Sequence, residues 1–228
     1  MNTRRYTSHT YLARLGHWLL AIGIIVLGAS GIEILAAFPS FGAKLPSGFE
    51  LPVPQGIGLG GWLGGALAWH FTFAWVFMLG FAVYAVDLAR GGWRRIWISR
   101  HEWAGIWPMA RHYFLRGPKP RQTALYNPLQ KFAYLSMTAT FALALVTGLM
   151  MAQPVQLGIA QGWPFAWQSV RVLHFACLCA FASFLPGHLV MVALAGTPAM
   201  RAMLTGRSEP IDMPAPESTS GNLATIER

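Results

Sequence analysis

Four stretches of this chain run past twenty residues with almost no charge: Leu15 to Phe38, interrupted only by Glu33, then Trp62 to Val86, Phe132 to Ala152 and Val172 to Leu194. A helix rises about 1.5 Å per residue, so roughly 20 apolar residues cross a hydrocarbon layer. In lipid every backbone N–H and C=O must be satisfied within the segment, which runs of this length achieve as helices; barrel strands are shorter and alternate. The pattern predicts an all-α fold, a transmembrane four-helix bundle over residues 1–207, followed by a tail at 208–228. Pro, Ser, Thr and acidic residues crowd that tail, which reads as disordered.

The polar intervals are asymmetric. Between the second and third runs stand Arg90, Arg94, Arg95, Arg100, Arg111, Arg116, Lys119, Arg121 and Lys131, against only Asp87 and Glu102. Arg4, Arg5 and Arg14 before the first run, and Arg201 and Arg207 after the last, fall on the same side when the number of spans is even. The intervals Pro39 to Gly61 and Gln153 to Arg171 hold only Lys44 and Arg171 as cations. Positive flanks mark the cytoplasmic face, so a multi-pass membrane protein with both termini cytoplasmic is expected. Arg4 and Arg5 before an apolar run also resemble a signal peptide, but the run is long for one and carries His17 and Glu33, so it reads as a retained span.

Composition agrees: 54% of residues are hydrophobic, 11% are charged and the mean hydropathy is +0.43, which calls for lipid as a partner. The net charge of +9 lies on the flanks of the spans, so it gives no reason to expect nucleic acid. Cys177 and Cys179 sit inside the last span on different helix faces and report no redox compartment. Asn127-Pro128 before Leu129 offers an N-cap and a first-turn proline for the third helix. Ile96 to Phe114, with Trp97, Trp103, Trp107 and Tyr113 among arginines, fits one helix lying at the headgroups.

The chemistry lies in His17, His70, His174 and His188, since ionisable groups at membrane depth are costly and face the bundle interior. A single such histidine is as easily a hydrogen-bonding residue between helices; four at matched depths point further. His174 and His188 are 14 residues apart, about 21 Å along a helix and about 40° around it, so they share one face at two depths. Following the chain through the bilayer pairs His70 with His174 toward the outer side and His17 with His188 toward the inner side. Facing imidazoles across a bundle are what bis-histidine haem requires, so the spacing predicts two haem b groups stacked across the bilayer, with the four histidines as iron ligands. Arg14 precedes His17 by three residues and Arg171 precedes His174 by three, which puts each arginine one turn nearer the surface, where a propionate would lie. Gly31 and Gly148 leave room for a ring or a helix, and Pro186 predicts a kink near His188.

Other signals carry less. Gly56 to Gly61 contains G-x-G-x-x-G, but no strand precedes it and no acidic residue follows where a ribose would need one, so it reads as a loop. His9, His101 and His112 lie among polar neighbours and form no zinc set.

Arg14-Leu15-Gly16-His17-Trp18, Gly61 to Phe71, Tyr126-Asn127-Pro128-Leu129-Gln130-Lys131 and Arg171-Val172-Leu173-His174-Phe175 together resemble the bacterial cytochrome b subunits of thiosulfate reductase, with wider relatives serving formate dehydrogenase and nickel-iron hydrogenase. The resemblance covers residues 10 to 207, while Pro186-Gly187 departs from the family's usual β-branched run. It implies a di-haem electron-transfer subunit between the quinone pool and a periplasmic molybdopterin or iron-sulfur oxidoreductase subunit. Two alternatives stand beside it: a stand-alone quinone oxidoreductase acting on superoxide or ascorbate, and a haem-free transporter or scaffold.

Overall fold

The computed structural model describes residues 5–6, 9–38, 56–115, 117–118, 120, 126–157, 167–206 and 210–211. Four of its helices are long and apolar enough to span a membrane: α1 (Tyr11–Ala37), α2 (Leu63–Asp87), α6 (Pro128–Ala152) and α7 (Trp167–Thr205). Helices α1, α6 and α7 start or end several residues beyond the apolar run and α2 ends one residue beyond it, because the backbone stays helical into the charged flank. Large apolar side chains such as Ile25, Trp75, Leu79 and Leu194 are exposed on the bundle, as expected of a surface whose solvent is hydrocarbon.

Glycine decides how closely the first two helices pack. A Cβ at Gly80 would stand 2.9 Å from that of Leu19, and one at Gly16 would stand 3.1 Å from the Tyr84 nitrogen, so α1 and α2 run backbone to backbone. Small residues allow this close approach in membranes, where tight packing replaces the hydrophobic drive between helices. Helix α6 packs along α7, and contacts between the two helix pairs are fewer. They include Phe141 of α6, whose ring lies 6.0 Å from Phe77 and 6.4 Å from Phe81 of α2, and which meets Phe181 of α7 at 5.4 Å within its own pair. One turn beyond, the Tyr84 hydroxyl meets that of Thr138 at 2.9 Å.

Helix α6 begins as the sequence predicts. Asn127 accepts from the Gln130 amide at 2.8 Å, and the Gln130 side chain accepts from the Asn127 amide in return. The segment read as one interfacial helix is instead three: α3 (Trp93–Ile96), α4 (Arg100–Trp103) and α5 (Ile106–Leu115). Ser99 and Glu102 form a capping box that starts a new helix at Arg100, and Gly105 separates α4 from α5. The amphipathic character holds, with Ile98 and Met109 buried and Trp97 and Trp107 exposed.

In α7 the departure from helical angles comes at Gly196 (φ 74°, ψ −171°), ten residues after Pro186. Only glycine enters that region readily, whereas the expected break at Pro186 is absorbed within continuing helical angles. Residues 56–62 form turns, tied to the bundle by the Leu59 amide donating to the Ala29 carbonyl at 3.1 Å. Of the tail, only 210–211 are described, paired antiparallel as β2 (Pro210–Ile211) with β1 (Arg5–Tyr6); the rest of the stretch read as disordered lies outside the described residues.

Candidate functional site

The N-terminus of α1, the α3–α5 segment and the C-terminus of α7 gather at one end of the bundle, called here the basic end. Among the described residues, its two ion pairs use the two acids of the central segment. Lys131 donates to Glu102 at 2.6 Å, and Arg95 to Asp87 at 3.4 Å. Asp87, buried, also accepts from Thr10 at 2.5 Å, so it clasps the start of α1 to the end of α2. Burial, reinforced by the Arg95 charge, holds the neighbouring His9 imidazole below its usual range. The hydrogen bond from Lys131, with help from the Ser99 amide, pushes the Glu102 carboxyl down to about 2.

The structure brings the four span histidines together in two pairs. Nearer the basic end, His17 of α1 faces His188 of α7 with ring centroids 6.0 Å apart; this is the proximal pair. Farther away, His70 of α2 faces His174 of α7 at 6.3 Å, the distal pair. An iron held by two imidazoles sets a similar distance: two metal–nitrogen bonds of about 2 Å and, on each side, about 1 Å from nitrogen to ring centre. Among the described residues no group of three or more His, Cys, Asp or Glu is arranged to hold a metal. Two axial imidazoles therefore suit a metal that brings its own equatorial donors, as a porphyrin does.

The surroundings of the pairs differ. The distal rings are anchored by hydroxyls that sequence reasoning missed. Ser30 Oγ lies 3.0 Å from His70 Nδ1, and Thr147 Oγ1 lies 2.8 Å from His174 Nδ1. Each is followed by a glycine that lies against the same ring. A Cβ at Gly31 would meet His70 Cε1 at 3.5 Å, and one at Gly148 would meet His174 Cε1 at 3.3 Å. The proximal rings are held by aromatic contact instead, His188 stacked on Phe184 at 5.5 Å and His17 edge-on to Trp18 at 5.2 Å.

The two arginines also part company. Arg171 donates to the Phe38 carbonyl at 2.8 Å and to Gln168 at 3.0 Å, closing the end of α1 with a cation where the helix dipole favours one. Arg14 lies against Gly206 (φ 75°) at the end of α7, and its buried Nε has no hydrogen-bond partner among the described residues. Beside it, the Trp18 indole donates to the Met203 carbonyl at 3.4 Å. A carboxylate such as a haem propionate would satisfy that buried donor.

Residues 8–206 match the prokaryotic cytochrome b561 family. The chain belongs to that family. It is thus a multi-pass bacterial membrane protein and a b-type cytochrome, which removes the haem-free alternative. It is 30% identical, over 85% of its length and 94% of the relative's, to a protein of Azospira oryzae provisionally named as the protein-methionine-sulfoxide reductase subunit YedZ1. No solved structure matches it.

Proposed function

We propose that this cytochrome b561 holds two haem b groups, one between His70 and His174 and one between His17 and His188, and passes electrons between the quinone pool and a periplasmic oxidoreductase subunit carrying molybdopterin or iron-sulfur centres. The observation that carries the reading is the pair of cross-bundle imidazole separations, 6.0 and 6.3 Å, on two levels of one bundle. Haem b bound at each pair supplies one-electron redox chemistry.

The chain's own part is to hold and insulate. Histidines from α1, α2 and α7 fix the two levels, and the 14-residue step from His174 to His188 sets their spacing, about 21 Å, on one helix face. Phe77, Phe141 and Phe181 place a chain of touching aromatic rings in the bundle between the levels. Arg14 offers its Nε to a propionate at the proximal level. Asp87, engaged by Thr10 and Arg95, acts as a clasp between the start of α1 and the end of α2. The basic end faces the cytoplasm, which leaves the distal level nearest a periplasmic partner. The name of the Azospira relative, a reductase subunit, supports a partner of the oxidoreductase class over the stand-alone reading.

The test is purification of the tagged chain from native membranes under mild detergent, followed by metal analysis and addition of quinol. Co-purification of a molybdenum- or iron-sulfur-containing subunit, with quinol reducing the b-type α-band, is the expected result. A chain that purifies alone and whose haem is reduced by ascorbate but not by quinol would overturn the reading.

A further inference from the structure

We propose that Ser30 and Thr147 are positioning residues that lock both distal histidines in the Nδ1–H tautomer and thereby lower the reduction potential of the distal haem. The inference rests on the two-haem reading above and adds to it a residue-level cause for unequal haems.

The protons can be assigned by elimination. Ser30 Oγ lies 2.8 Å from the Val26 carbonyl, and Thr147 Oγ1 lies 2.7 Å from the Leu143 carbonyl. Two oxygens approach so closely only with a proton between them, and a carbonyl has none to give, so each hydroxyl donates its single proton back along its own helix. The hydroxyl oxygen then meets the imidazole with a lone pair, and the ring must donate from Nδ1 at 3.0 Å in His70 and 2.8 Å in His174. With Nδ1 protonated, Nε2 carries the free lone pair and is the nitrogen available to iron.

The arrangement is built twice. In each half of the chain, the helix before the ligand helix presents a hydroxyl residue followed by glycine, Ser30-Gly31 to His70 and Thr147-Gly148 to His174. The hydroxyl fixes the proton and the glycine admits the ring edge beside it. A donated Nδ1 proton raises the basicity of the ligating nitrogen, and a more basic ligand favours ferric iron. Among the described residues, no hydrogen bond engages a ring nitrogen of His17 or His188, so the effect is confined to one level.

Optical redox titration of the purified holoprotein tests this, with His70→Ala identifying the distal wave as the one that disappears. Ser30→Ala and Thr147→Ala should each keep two haems and raise the distal potential, with a change of about tenfold in its reduction equilibrium, or about 59 mV for one electron. The proximal wave should stay in place, and Ser30→Thr and Thr147→Ser should restore the parent value. If an alanine variant does not accumulate, Thr147→Val keeps the β-branched shape without the acceptor and carries the same test. Two haems in the parent protein with no distal shift in these variants, or with both waves moving together, would overturn the assignment. A parent protein holding fewer than two haems would instead overturn the reading beneath it.

Discussion

The two histidine levels are built from the same side chain at nearly the same separation, yet they are held by opposite means. At the distal level the Ser30 and Thr147 hydroxyls of α1 and α6 hold the rings through their Nδ1 atoms, at 3.0 and 2.8 Å. At the proximal level an aromatic stack and an edge contact leave the rings free of any hydroxyl anchor among the described residues. On the two-haem reading, the comparison teaches that the histidines would set where each cofactor sits, while the residues one step behind would set how rigidly and with what electronic bias it sits there. It also shows a division of labour along the bundle, since the proximal level lies beside the cationic end and Arg14, and the distal level lies where charge is scarce.

The strongest way to break the comparison is to remove one level. His70→Ala or His174→Ala should abolish the distal haem and leave the proximal one, while His17→Ala or His188→Ala should do the reverse, each halving the b-type absorbance per chain. Crowding the anchor comes next. Gly148→Val places a branched side chain where even a Cβ would stand 3.3 Å from His174, so distal haem retention should fall by about tenfold or more; Gly31→Ala, at 3.5 Å from His70, should leave it nearly unchanged. Haem content after a competing apo-globin challenge measures both.

A smaller effect should separate the proximal level. Phe184→Ala removes the stacked ring from His188, a contact worth about 0.5–1.5 kcal/mol, and should weaken proximal retention a few-fold without moving the distal wave. The smallest effect lies off both levels. Glu102 titrates in the folded protein near 2, below its ordinary value of 4.5, so the stability from its pair with Lys131 is present above about pH 4.5 and is lost as pH falls toward 2. Glu102→Gln should abolish that pH dependence and lower Tm at neutral pH by about 2–4 °C, followed by circular dichroism in detergent.

Much of this architecture was legible because lipid imposes a coarse rule: about 20 uncharged residues make a span, and a histidine within one is conspicuous. The Asn127-Pro128 start was equally plain, since cap chemistry is local. Ser30 and Thr147 were not legible for a physical reason. Hydroxyls inside apolar helices ordinarily bond back to their own carbonyls, as both of these do, and the second contact, across to another helix, depends on rotation and depth that sequence does not give. The Ser99-x-x-Glu102 box was visible but was masked by the surrounding aromatic and basic pattern, which reads as one continuous amphipathic helix. At Pro186 local propensity pointed to a kink, yet helical angles continue and the break waits for Gly196, where only a residue without Cβ fits the backbone.

The central claim, two iron porphyrins on four imidazoles, is tested most directly by haem stoichiometry. Pyridine haemochrome analysis of protein purified from haem-replete cells, quantified against amino-acid analysis, should give two haem b per chain in the parent and one in each single-histidine variant. One haem or none in the well-folded parent, or two remaining after loss of His70 or His17, would contradict it.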